Sequence, residues 1–300
     1  MLIFTMLYLC ITLLIIIIVV FFYILNMYMS ISKVDKKIIV FDMDETLGCF
    51  VQLGMFTNIL EYNIKRKITN EEFNILMDLF PLYQRPNILS ILNYIKEQKE
   101  KKQCYKVYIY TNNQGPKHWV LQIKNYFESK LNYPLFDKVI HAYKVNGVQI
   151  EKNRTSHNKS VSDLLKCTKL SKYTNICFLD DQYHPYMLKH NTYYLHLNEY
   201  HYHYDPNQLF EKFKTHFQLN ETYINYLKQT DKNIFMEYNI NKKNCLTSQC
   251  RERNFKISKK ILLHLHYFFD KFNGKYTKKH YSKQNKTHKN NSINHYKRIY

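Results

Sequence analysis

KIIVFDMDETLG (Lys37–Gly48) is the stretch on which the reading of the chain turns. Its first half, KIIVF (Lys37–Phe41), is short, apolar and rich in β-branched residues, which is the composition of a buried strand. It runs directly into Asp42 and Asp44, with Thr46 two positions further on. Open α/β sheets bind their ligands outside the carboxyl ends of their strands, where these carboxylates fall. Two carboxylates so placed can bind a divalent cation and divide labour, one attacking phosphorus and the other handling a leaving-group proton. The Asp-x-Asp also fits the metal motif of a glycosyltransferase. An EF-hand is excluded, because its glycine position holds Leu47 and the spaced oxygen ligands are absent.

Outward from this segment, strand and helix patterns alternate. KVYIY (Lys106–Tyr110), Phe136–Ile140, NICFL (Asn175–Leu179) and TYYLHL (Thr192–Leu197) read as strands. A helix is expected near Ile68–Phe80, where Thr69 and Glu72 have capping-box spacing. Pro86 suits a helix start, and Ile88, Ile91, Leu92 and Ile95 then share one helical face. Trp119, Val120, Ile123, Tyr126 and Phe127 mark the next helix, and Val161, Leu164 and Leu165 another. This alternation predicts an α/β fold with a parallel sheet flanked by helices. Leu47 to Arg85 leaves room for a flap and one helix. Gln208–Phe217 and Ile257–Phe272 also read as helical.

Two more strands end in chemistry-bearing residues. YTNNQGP (Tyr110–Pro116) offers the Thr111 hydroxyl and backbone N–H groups able to hold a phosphate oxygen, although the same residues make an ordinary turn. FLDDQ (Phe178–Gln182) puts Asp180 and Asp181 after an apolar strand, a costly position unless they meet a cation. Between them, NRTSHNKSVSDLL (Asn153–Leu165) carries Lys159 near a helix start, where an ammonium can offset phosphate charge. Lys166 and Lys152 are lesser candidates. His201 and His203 fit alternation along a strand or turn better than metal ligation.

Asp-x-Asp-x-Thr, Thr, Lys and Asp-Asp, in this order at strand ends, resemble the four motifs of the haloacid dehalogenase (HAD) superfamily. DETL (Asp44–Leu47) and RP (Arg85–Pro86) resemble the branch containing RNA polymerase II C-terminal-domain phosphatases and nuclear LIM-interactor-interacting-factor-like phosphatases. The resemblance covers roughly Lys37–Tyr200. It implies a HAD-like Rossmannoid sheet with a minimal cap, and Mg²⁺-dependent phosphomonoester hydrolysis through an aspartyl-phosphate. Carried over by position, Asp42 is the nucleophile and Asp44 the general acid/base that also offers a backbone carbonyl to the metal. Thr111 binds phosphate, Lys159 steadies the nucleophile, and Asp180 and Asp181 complete the metal set. Motif two departs from that branch: Thr111-Asn112-Asn113-Gln114-Gly115 is closer to other HAD enzymes, polynucleotide-end phosphatases among them. A phosphoprotein is the substrate implied by a small cap. A binding scaffold with an inactive fold and a nucleic-acid-end phosphatase are the alternatives.

The 300 residues carry a formal net charge of +20, which points to an acidic partner, whether nucleic acid, an anionic membrane surface or a phosphorylated substrate. Met1–Met29 has no charged side chain and is the length of a transmembrane helix. Lys33, Lys36 and Lys37 follow it and favour a cytosolic catalytic domain. Seven scattered cysteines fit reduced thiols and no disulfide framework. The expected organisation is therefore a single-pass anchor over 1–30, the catalytic domain over 31–230, a helical extension over 231–273, and a basic disordered tail over 274–300 that offers a second contact for nucleic acid.

Overall fold

The computed structural model describes residues 36–217, 248–272 and 295–300, together with 12, 14–23 and 225. Lys37–Phe41 forms strand β1, and its side chains alternate between two cores. Ile39 and Phe41 enter one cluster; Ile38 and Val40 enter the other. A strand buried on both faces needs an unbroken apolar run, which is why KIIVF carries no polar alternation.

Around β1 stand β2 (Lys106–Tyr110), β3 (Lys138–Ile140), β6 (Asn175–Asp180), β7 (Thr192–Leu197) and β8 (Tyr296–Ile299). Together they form a six-stranded sheet in the order β3-β2-β1-β6-β7-β8. Every neighbouring pair is parallel. The fold is α/β, a parallel sheet flanked by helices in a Rossmann-like arrangement. The order reverses at β1, whose neighbours β2 and β6 lead away in opposite directions, and a crevice for ligands opens at such a point.

Helices α1 (Val51–Ile64), α2 (Asn70–Leu79), α3 (Ile88–Glu100) and α4 (Lys117–Leu131) contribute buried side chains to the larger core, where Phe41, Phe50, Phe56, Phe73 and Ile91 meet. Helix α5 (Val161–Thr168) supplies Val161, Leu164 and Cys167 to the smaller core on the other face. Thr69 caps α2 with its reciprocal partner Glu72, as their spacing predicts. Helices α6 (Pro206–Phe217) and α7 (Ser248–Asp270) join the larger core through Phe210, Phe213, Ile257, Ile261 and Leu265.

Two expectations need correction, and one element is additional to those expected. The segment between Leu47 and Arg85 holds two helices and a 3-10 turn (Pro81–Tyr83), where the sequence reading left room for one helix. Leu53, Phe56 and Leu60 of α1 are buried in the larger core, so α1 packs as part of the domain. A hairpin of β4 (Lys144–Val145) and β5 (Val148–Gln149) also appears, turned by Asn146 and Gly147 at φ 49° and 78°. That is the Asn-Gly turn whose two left-handed positions match the twist of a hairpin. Finally, the tail is not disordered throughout 274–300. Tyr296–Ile299 pairs with β7, and Ile299 is buried. Four polar-rich residues carry no strand signal of their own; the exposed edge of β7 supplies it. Residues 273–294 lie outside the described residues.

The segment 1–36 separates from Lys37–Tyr300 as a compact unit of its own. In it, residues 12 and 14–23 are helical, and Leu14–Tyr23 are exposed. Among the described residues no helix is long and apolar enough to cross a membrane. The remainder of the expected anchor over 1–30 lies outside them, as does most of 218–247.

Candidate active site

The site begins where β1 stops. Asp42 N–H donates to Leu179 O at 2.9 Å, which zips the end of β1 to β6 and sets Asp42 beside Asp180 and Asp181. The chain then turns tightly. Leu47 N–H donates to Met43 O, Glu45 N–H to Gly48 O, and Glu45 takes a left-handed φ of 55°. Arg85, fully buried, clamps this turn from below. Its Nε donates to Thr46 O at 2.6 Å, and its Nη2 to Glu45 O at 2.5 Å and Asn198 O at 2.9 Å. Burial lowers the Arg85 pKa to about 10, which still leaves a cation at neutral pH. A Cβ on Gly48 would lie 2.4 Å from Tyr83 O, so the close approach of this turn to the 3-10 segment requires glycine.

The carboxylate oxygens of Asp42, Asp180 and Asp181 lie within 4.8 Å of one another. Lys159 Nζ joins two of them, donating to Asp42 Oδ1 at 2.5 Å and Asp180 Oδ2 at 2.7 Å. Thr46 Oγ1 donates to Asp181 Oδ1 at 2.9 Å and accepts the Asp181 N–H at 3.1 Å. Gln182 N–H donates to Asp180 Oδ1, and His184 Nε2 stands 3.3 Å from Asp180 Oδ2. All four charged groups are buried.

The electrostatics follow from that burial. Burial drives the Asp42 carboxyl well up, more than the adjacent Lys159 pulls it down. Asp181 is raised by burial and by Asp180. For Asp180, burial also pushes upward, but Lys159 and then His184 outweigh it and hold the carboxyl low. Burial pulls the Lys159 ammonium down, but Asp180 and Asp42 outweigh it and raise it above its ordinary value, so it stays charged. Three carboxylates against one ammonium leave the cluster short of positive charge.

Asp44 stands apart from the cluster. Asn113 Nδ2 donates to its Oδ2 at 2.8 Å, while its Oδ1 is buried without a hydrogen-bond partner. Burial raises this carboxyl to about 6, so it can hold a proton close to neutrality. The Asn113 side chain is itself fixed, because its Oδ1 accepts the Gly115 N–H at 2.8 Å. Thr111 reaches the site through the same residue: its Oγ1 accepts the Asn113 N–H at 2.9 Å.

The structure thus gathers Asp42, Lys159, Asp180 and Asp181 into one cluster, while Asn113 joins Asp44 to Thr111. Lys166 and Lys152 are not in this cluster. Three participants were not singled out from sequence. Asn113 lay inside a stretch that reads as turn chemistry. Arg154 is buried, and its guanidinium donates to Thr111 O, His141 O, Asn112 Oδ1 and His157 O. It thereby ties the Thr111 loop to the loop that carries Lys159, yet nothing distinguishes it in a chain this rich in basic residues. His184 had no signal beyond its distance of four residues from Asp180. His201 lies 2.5 Å from Glu199, in irregular backbone and not on a strand.

No family model, no curated protein and no solved structure matches the chain.

Proposed function

We propose that the chain is a phosphomonoester hydrolase of the HAD type, dependent on a divalent cation, with Asp42 as nucleophile and Mg²⁺ as the cation. The observation that carries this reading is the Asp42–Lys159–Asp180 contact with Asp181 grouped beside it. The donor set supports the metal: three carboxylates are hard oxygen ligands of the type that magnesium takes. Their excess negative charge, and the upward shifts of Asp42 and Asp181, are what a dication would relieve. Asp42, Asp180 and Asp181 would hold it, together with the Asp44 backbone carbonyl that the resemblance implies. When bound, it supplies charge neutralisation for an anionic phosphate facing an anionic nucleophile.

The residues then divide the reaction. A carboxylate oxygen of Asp42 attacks phosphorus, and the ester P–O bond breaks as an aspartyl-phosphate forms. The leaving oxygen takes its proton from the Asp44 carboxyl. Water next attacks phosphorus, Asp44 accepts the proton, and phosphate departs to restore Asp42. Lys159 orients Asp42 and screens the phosphoryl charge. A phosphoprotein is the macromolecular substrate we propose first. In the same reading the apolar run Met1–Met29 anchors the enzyme, with the catalytic unit in the cytosol; the buried thiols of Cys104, Cys167 and Cys177 fit a reducing compartment.

The test is turnover of a generic aryl phosphate with Mg²⁺. Asp42→Asn should lower kcat by several orders of magnitude, because an amide is a poor nucleophile. Chelator should abolish activity and added Mg²⁺ restore it. Wild-type rates in Asp42→Asn, or in the presence of chelator, would refute the mechanism.

A further inference from the structure

Beside Asp44 opens a cavity of about 350 Å³ between α1 and the segment that leads into α4. Of the six residues assigned to the chemistry, Asp44 alone lines it; Asp42, Thr111, Lys159, Asp180 and Asp181 do not. If Asp44 delivers the proton to the leaving oxygen, the leaving group lies on Asp44's side of the phosphorus, which is this cavity. This placement of the leaving group rests on the phosphatase reading.

The walls say what kind of leaving group fits. Trp119 provides aromatic surface, and the fully buried Phe50 lies behind the wall. The Trp119 ring is buried and held edge-to-face against Phe73, with centroids 5.5 Å apart. Gly54 of α1 backs it closely, since a Cβ there would lie 3.2 Å from the ring. The aromatic wall is therefore fixed in place before a ligand arrives, and a planar group can stack on it without ordering cost. Polar side chains line it as well, namely Thr57, Asn58, Asn113, Gln114, His118 and Gln122. Among the described residues no lysine or arginine lines the cavity, whereas Asp44 and Glu61 do. Glu61 is already engaged by Lys67 at 2.5 Å and by the Ile68 N–H. In a chain with a net charge of +20, a cavity walled without lysine or arginine beside a phosphate site is a selective feature. A second phosphate on the leaving group would find carboxylates in place of cations.

We propose that this cavity is the leaving-group subsite and that it selects phosphomonoesters of uncharged aromatic alcohols over polyanionic ones. A free aryl phosphate and a phosphotyrosine side chain share this chemistry, whereas a 5′-phosphorylated polynucleotide lacks it.

Trp119 is the only tryptophan in the chain, so its fluorescence reports directly on the cavity. Phenylphosphonate, titrated into the full-length protein with Mg²⁺, should change that fluorescence saturably, and methylphosphonate should not. In turnover, kcat/KM for 1-naphthyl phosphate should exceed that for a 5′-phosphorylated oligonucleotide and for a phosphoserine peptide by roughly tenfold or more. A phosphotyrosine peptide assayed alongside separates the two sources: rates matching 1-naphthyl phosphate point to a protein substrate, much lower rates to a small aryl ester. Asn58→Phe, which fills the cavity from its exposed rim, should lower the ratio of kcat/KM for 1-naphthyl phosphate to that for acetyl phosphate by a similar factor. Fluorescence indifferent to phenylphosphonate, an unchanged ratio in Asn58→Phe, or an oligonucleotide turned over as well as the aryl ester would overturn the proposal. A saturable phenylphosphonate signal with no turnover of any ester would support the subsite and defeat the phosphatase reading, so the two failures are distinct.

Discussion

Arg154 shows how much of the site depends on a single side chain that touches none of the reacting groups. Its guanidinium is buried and reaches four oxygens on three segments: Thr111 and Asn112 after β2, His141 after β3, and His157 two residues before Lys159. It also lies over the Tyr110 ring, 4.8 Å from its centroid. Only a planar fork with several fixed donors can satisfy this geometry; an ammonium cannot. Arg154→Lys should therefore cost about 3 kcal/mol of stability through buried acceptors left unmatched. It should also reduce kcat more than it raises KM, because Lys159 and Asn113 lose their common brace. Chemical denaturation and steady-state kinetics check this. Unchanged stability and unchanged kcat would show that the brace is dispensable. The residues that carry charge at strand ends were legible in the sequence because an acid after an apolar run has few structural reasons to be there. Arg154 and Asn113 were not, since their significance lies in which backbone oxygens or carboxylates they reach across the fold.

At the level of elements, helix α2 is a case in which local sequence suffices. Thr69 Oγ1 accepts the Glu72 N–H while the Glu72 carboxylate accepts the Thr69 N–H, and Arg66 adds two further bonds to that carboxylate. The Arg66 contact first, and the Thr69 N–H after it, hold the Glu72 carboxyl down to about 2 against an ordinary value of 4.5. A carboxyl depressed in the folded state stabilises the fold above its unfolded pKa, and the contribution disappears as pH falls towards the folded value. Glu72→Ala should thus lower stability at pH 7 by about 1 kcal/mol, the scale of a lost cap. The half-exposed Arg66 adds little more. The gap in Tm between wild type and variant should narrow as pH falls from about 4.5 towards 2, the two values just given. A gap that stays constant between pH 7 and pH 3 would contradict this account. Helix α1 was harder to read: Leu53, Phe56 and Leu60 have helical spacing, but Gly54 and the surrounding polar residues dilute it. The Asn146-Gly147 dipeptide carries its own hairpin signal, since both residues accept the left-handed backbone that the turn requires.

On the scale of the whole molecule, the chain closes its sheet with residues from its far end. β8 pairs with β7 in parallel register from Tyr194 opposite Tyr296 to Leu197 opposite Ile299, and Tyr296 packs against Tyr194 and His196. A C-terminal run of YKRI has no alternation to announce a strand, because its pairing energy comes from the waiting edge of β7. Deleting residues 295–300 should strip Ile299 from the core and bare that edge, at a cost of about 2 kcal/mol or more. For a domain of this size, that is a fall in Tm of roughly 4–8 °C. A truncated chain that melts with the wild type would show that β8 contributes no stability. The site lies on the inner strands of the same sheet, where β1 and β6 deliver Asp42, Asp180 and Asp181 side by side. On this mechanism Asp42 becomes transiently phosphorylated. The most direct measurement is an acid quench during turnover of acetyl phosphate with Mg²⁺, followed by mass spectrometry of the peptides. A hydroxylamine-labile phosphoryl group is expected on Asp42, absent when chelator is present. Sustained turnover with no phosphoryl adduct on Asp42, or with the adduct on another residue, would contradict it.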